Sequence, residues 1–310
     1  MRFAANSALL SLLLISVSAQ AAPSPEVEKR VIGSYDPQIS FSAKDKWWSF
    51  NLCPLQTVVL QAKDPVTGNP GTVSVKEYAN KAPGGAPGRT IILVPPTGGE
   101  NVIDDAWANL FCKSGFRVLL VQHWDQDNFS DVDPGMHDLG ALRAIAAVRH
   151  TVEYAARTDG SIGILGTSVG AITSALSLEI DPRIVSGTLI VGGGGMAEII
   201  ANSNEKTLSA LREERMSRYG YATIAQYQEA LTKSVTIDPL DFAGYTGKKP
   251  VLAMVAGSDT TVPTKNQLLL VDALGAEKIE NATKDHLGMV EYTASNLSGE
   301  VLKFFQRTLN

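Results

Sequence analysis

The sequence predicts an α/β fold on a mainly parallel central sheet with helices on both faces. Three observations predict it. Short runs rich in Ile, Val and Leu recur at residues 90–94, 117–121, 161–165, 188–191 and 250–256, the pattern of strands covered on both sides. Helix-patterned segments at 104–113, 138–156, 169–178 and 264–274 alternate with them, which implies right-handed βαβ crossovers. Thr97, Ser168, the glycines at 192–195 and Asp259 each fall just after one of the apolar runs. They therefore share the carboxyl rim of the sheet, where such folds collect functional groups.

The elements follow in chain order. Arg2, the apolar residues 8–17 and Ala19-Gln20-Ala21 make a signal-peptide pattern over residues 1–21. Cleavage is expected near Ala21, leaving an exported chain of residues 22–310 in a periplasm or outside the cell. Residues 23–50 are punctuated by Pro and Ser and read as an irregular arm, with Trp47-Trp48 expected to seal it against the sheet. Residues 57–62 and 72–78 read as strands around the turn-rich Thr67-Gly68-Asn69-Pro70-Gly71, an antiparallel start to the sheet. Between about 196 and 238 the alternation stops. Leu208, Leu211 and Tyr219 fit one helical face there, and Ile224, Tyr227 and Leu231 fit another, so a small helical insertion is expected. It would either pack outside the core or cap the rim. Arg212, Arg215 and Arg218 read as a solvated face of this insertion, balanced by Glu213 and Glu214.

The net charge of −5 comes with no basic stripe, which argues against nucleic acid as a partner. No later segment is apolar for long enough to span a membrane. Cys53 and Cys112 are the two cysteines, and in an oxidising compartment they could be either a disulfide or two buried thiols.

The stretch "SIGILGTSVGAITSAL" carries the chemistry. In Gly166-Thr167-Ser168-Val169-Gly170 a serine stands between a buried strand and a helix with glycine two places to either side. This is the pattern of a sharp turn that exposes a nucleophile. A serine hydroxyl needs a base to take its proton, and the base needs an orienting acid. Of four histidines, His150 reads as a solvated residue in mid-helix, His137 as part of a helix cap, and His123 as a rim residue that precedes Ser168. His286, in "KDHLGMVE", is both late in the chain and in a rim loop, so it is the expected base. Asp259, two residues past Gly257 in "VLAMVAGSDTTVP", is the expected acid. Asp285 ranks behind it as the immediate neighbour of the histidine, and Asp238 and Asp241 read as caps of a short helix. A tetrahedral oxyanion needs main-chain N–H donors. Val169, after the nucleophile, offers one. Thr97, the first residue after Pro95-Pro96 that has an N–H, offers the other, with Gly98 in reserve.

On "GTSVG", "PPTGG", "GSDTTVP" and "DHLG" the chain resembles the α/β-hydrolase superfamily over about residues 85–305, and more loosely its bacterial dienelactone-hydrolase and carboxylesterase-type branches. The resemblance implies Ser168 as nucleophile, Asp259 as acid, His286 as base, and Thr97 with Val169 at the oxyanion hole, acting on a small-molecule ester with no cofactor. It departs from the family where Pro95-Pro96 replaces the usual His-Gly. The dienelactone hydrolases proper commonly carry cysteine at the position of Ser168, so their substrate does not carry over. A peptidase, amidase or acyltransferase with the same triad stays open, as does a binding protein of this fold that has lost catalysis.

Other signals are weaker. Asp125, Asp127, Asp131, Asp133 and Asp138 crowd one loop, but the spacing fails the calcium-loop template and the segment reads as an acidic rim. No His/Cys cluster has zinc spacing, so no metal is expected. Gly192–Gly195 lacks the features of a nucleotide loop and reads as a flexible floor to the site.

Overall fold

The computed structural model describes residues 22–33, 35–48, 53–79, 88–122 and 131–309. The expected signal segment, His123, Asp125 and Asp127 lie outside them, as do the side chains of Trp47 and Trp48.

Among the described residues one sheet runs in the order β1-β2-β3-β5-β4-β6-β7-β8-β9. The strands β1 (Ser40–Trp48), β2 (Pro54–Lys63) and β3 (Pro70–Ala79) pair antiparallel, and β3 joins β5 (Arg117–Val121) in the same sense. From β5 onward every pairing is parallel, through β4 (Gly88–Val94), β6 (Asp159–Thr167), β7 (Ile184–Ile190), β8 (Val251–Ala256) and β9 (Glu277–Asn281).

Alternation along each strand divides the core. Ile91 and Leu93 of β4 join the cluster formed by α2 (Val102–Lys113), α10 (His286–Asn296) and α11 (Ser298–Thr308), with Trp107, Tyr78, Phe111 and Phe305 among its large members. Ile92 and Val94, one residue out of phase, join the opposite cluster under α3 (Met136–Ala155), α4 (Val169–Ile180) and α9 (Thr264–Leu274). Successive side chains of a strand point to opposite faces, so a continuous apolar run fills both layers. Cys53 and Cys112 form a disulfide, with Cα atoms 6.4 Å apart, that ties the start of β2 to α2. Closing a loop between residues 59 apart is worth about 4 kcal/mol in chain entropy.

The structure corrects several expectations. The arm at 23–50 is not irregular: it holds α1 (Pro25–Gly33) and the edge strand β1. In SFSAKDKWW the polar–apolar alternation stops after Ala43, and main-chain pairing with β2 carries the strand on to Trp48. The polar β9, at the other edge, escaped for the same reason. The run at 188–191 belongs to a strand that starts at Ile184 and stops before Val191, whose φ of 49° is left-handed. His150 is buried, not solvated, and meets the ring of Tyr35 at 5.1 Å because the N-terminal arm covers the outer face of α3. Between β7 and β8 lie α5 (Met196–Asn202), α6 (Lys206–Tyr219), α7 (Ile224–Ser234) and α8 (Pro239–Phe242).

Candidate active site

Ser168 ends β6 and caps α4 with φ 58° and ψ −123°, a conformation that a non-glycine residue adopts at a cost. Its N–H donates to the carbonyl of Ile190 at 2.8 Å and holds the corner. Both flanking glycines are required by space. A Cβ on Gly166 would lie 2.2 Å from the carbonyl oxygen of Gly170, and one on Gly170 would lie 2.2 Å from that of Val94. The turn brings strand and helix together more closely than any side chain allows.

The predicted partners meet there. His286 Nε2 lies 3.0 Å from Ser168 Oγ, and His286 Nδ1 lies 2.7 Å from Asp259 Oδ2. A carboxylate only accepts, so Nδ1 carries the proton and the Nε2 lone pair faces the serine hydroxyl. Asp259 is buried, and its Oδ1 accepts from the N–H groups of Thr261 at 2.8 Å and Val262 at 3.0 Å. The two rim loops are joined through main chain, Gly257 N–H to Asn281 O at 2.9 Å and Ser258 N–H to Lys284 O at 3.0 Å. Asp285, the lower-ranked acid, caps α10 instead by accepting from Gly288 N–H at 2.8 Å. Asp238 is the N-cap of α8, as its sequence position suggested, and Asp241 stands in the first turn, where burial raises its carboxyl to about 6.

Sequence reasoning missed Gln267. Its Oε1 accepts from Ala256 N–H at 3.0 Å, which orients the amide. Its Nε2 then donates to Asp259 Oδ2 at 2.7 Å and to Val262 O at 2.8 Å. The oxygen that holds His286 is thus held from the other side by a buried side chain. A signal was available: Gln267 stands on the stripe of Leu270, Val271 and Leu274, a polar residue on a buried face.

Thr97 and Val169 line the same cavity as Ser168. Gly99 N–H bonds to Pro96 O at 3.2 Å with Gly98 at φ 92°, a turn with Thr97 at its second position and Thr97 N–H outside that bond. Val169 opens α4, where N–H groups have no partner within the helix and the dipole favours negative charge. The glycines at 192–195 do not line this cavity, and they are tightly packed rather than flexible. A Cβ on Gly192 would stand 2.6 Å from Ala171 Cβ, and one on Gly194 2.5 Å from Leu240.

Two more expectations change here. His137 is not a cap residue: Gly135 holds that position, and His137 lies buried in the first turn of α3, lining the cavity. Arg215 is fully buried, not solvated. Its guanidinium donates to Val132 O at 2.9 Å, Asp131 O at 2.5 Å, Tyr227 OH at 3.0 Å and His137 Nε2 at 2.9 Å. Burial, and then the charge of Arg215, push the imidazole of His137 down to about 3, so it stays neutral. Among the described residues no group of three His, Cys, Asp or Glu side chains could hold a metal ion, and no helix is long and apolar enough to cross a membrane.

No protein-family model matches the chain, and no curated protein matches it by sequence. Solved structures do match in fold. Acetyl xylan esterase 1 from Thermoanaerobacterium sp. superposes with a TM-score of 0.68 at 16% identity, over 94% of this chain and 96% of its own. An acetyl xylan esterase from Paenibacillus sp. R4 gives 0.68 at 10%, over 94% and 97%. The esterase Pf2001 of Pyrococcus furiosus gives 0.55 at 13%, over 89% and 95%. The chain has the fold of these esterases, the α/β-hydrolase fold.

Proposed function

We propose that this chain is an exported serine hydrolase that cleaves carboxylic esters through an acyl-enzyme intermediate. The observation that carries this is the continuous hydrogen-bond line from Ser168 Oγ through His286 to the buried carboxylate of Asp259. In the reaction Ser168 Oγ attacks the ester carbonyl while His286 Nε2 takes its proton. The oxyanion forms against the N–H groups of Val169 and Thr97, beside the positive end of the α4 dipole. His286 then returns the proton to the departing alkoxide, and a water activated by the same imidazole releases the acid. Asp259 stays ionised throughout and holds the imidazolium.

Residues 22–310 make up the hydrolase domain, with 196–238 as its cap. The signal pattern of residues 1–21 supports export to a periplasm or beyond the cell, and so does the Cys53–Cys112 disulfide, since such bonds persist in oxidising compartments. The test is labelling of the mature protein with a fluorophosphonate, read by intact mass. One adduct on the wild type, absent from Ser168→Ala and His286→Ala, is the expected result. No adduct on folded wild type would overturn the assignment.

A further inference from the structure

The cavity in front of Ser168 encloses about 290 Å³ and has two kinds of wall. Thr97, Ser168 and Val169 form its base. Ile172 of α4, Met196, Ile199 and Ile200 of α5, Leu208 of α6 and Val262 form most of the rest. Several polar groups on the wall have partners within the protein. Glu205 accepts from Leu208 N–H at 2.8 Å, Thr261 hydroxyl donates to Asn204 Oδ1 at 2.9 Å, and His137 Nε2 accepts from Arg215. A substrate hydroxyl buried against the aliphatic side chains of α4 and α5 loses its water without gaining a partner, whereas an alkyl chain loses nothing.

The cavity also has a side. Among the described residues its wall takes in Ser168 and Val169 but not His286. A leaving alcohol must take its proton from His286, so it departs on the His286 side, where Leu287 is 70% exposed. The cavity therefore lies on the acyl side of the ester.

Resting on the serine-esterase assignment above, we propose that this cavity is the binding site for an uncharged aliphatic acyl chain of medium length. At about 30 Å³ per water-sized group, the 290 Å³ hold about ten groups. With the three heavy atoms of the ester itself at the base, this leaves an acyl chain of about eight carbons. The carboxylate of Glu205 on the wall sets the charge preference: a chain that ends in a carboxylate is repelled.

The experiment measures kcat/KM for p-nitrophenyl esters from acetate to dodecanoate, and for hexanoyl esters of alcohols of increasing length. The expected profile rises about fourfold per methylene, the worth of burying one such group, to a maximum near eight carbons and then falls. Alcohol length has little effect. Leu208→Trp moves the maximum to shorter chains. Hexanoate outperforms the mono-p-nitrophenyl ester of adipic acid, and Glu205→Gln narrows that gap about fivefold, the effect of one nearby charge in water. A profile that falls from acetate onward, a rise with alcohol length instead, or preference for the adipate ester overturns the proposal while fluorophosphonate labelling of Ser168 still upholds the hydrolase. Absence of labelling overturns both.

Discussion

His286 and His137 are both held by charged neighbours close to Ser168, and the sign of the neighbour separates them. His286 has the carboxylate of Asp259 at Nδ1, which fixes the proton there and leaves Nε2 to accept from Ser168 at 3.0 Å. His137 has the guanidinium of Arg215 at Nε2, so its lone pair is occupied and its protonation opposed. The first arrangement suits the base of the proposed reaction, and the second joins α3 to the insertion helix α6. Residue type alone does not distinguish them; the partner does.

The largest expected effect tests the first half of this contrast. Ser168→Ala or His286→Ala lowers kcat for a p-nitrophenyl ester by about 10⁴-fold or more, whereas His137→Asn acts chiefly on stability. A similar collapse of kcat in a folded His137→Asn enzyme would break the comparison.

Acid pH tests the second half. His137 takes its proton at about 3 in the folded chain because of burial and Arg215, against about 6.5 in the unfolded chain. The unfolded state therefore binds this proton first, and the contribution of His137 to stability is fully present above pH 6.5 and lost as pH falls towards 3. The loss is on the order of 5 kcal/mol for His137 alone. His150, pushed down to about 4 by burial and then by Arg149, adds to it in the same direction. Asp104 and Asp241, whose carboxyls burial raises to about 6, act in the opposite direction below pH 6, so the readout is the difference between two proteins. The gap in urea midpoint between wild type and His137→Asn should narrow as pH falls from 8 to 4.

Arg215→Met comes next. It leaves the carbonyls of Asp131 and Val132 and the hydroxyl of Tyr227 without their donor. The expected cost is about 3–5 kcal/mol in urea unfolding. The smallest effect sharpens the account of His286. Gln267→Met removes the donor behind Asp259 Oδ2 and should lower kcat about 10–100-fold with KM within about twofold. A change in KM alone would reduce Gln267 to a packing residue.

Much of the parallel half of the fold was legible, because strands buried on both faces must be apolar throughout, as Ile91–Val94 and Ile162–Leu165 are. The edge strands β1 and β9 were not: apolar alternation in SFSAKDKWW stops after Ala43 and EKIEN has one apolar residue, so main-chain pairing marks both strands where the pattern does not. Arg215 continues the stripe begun by Leu208 and Leu211, as Gln267 continues that of Leu270 and Leu274. A polar residue on an apolar stripe signals a buried hydrogen-bond hub, and the periodicity read only the apolar members.

By itself the sequence determined the corner at Ser168, since Gly166 and Gly170 answer a local steric demand, and the order Ser168, Asp259, His286 along the chain. Only the tertiary structure decided the joining of Cys53 to Cys112, the neutrality of His137 and the hold of Gln267 on Asp259. Each depends on distances between segments far apart in the chain, set by how the layers pack. Local pattern carries no information about them.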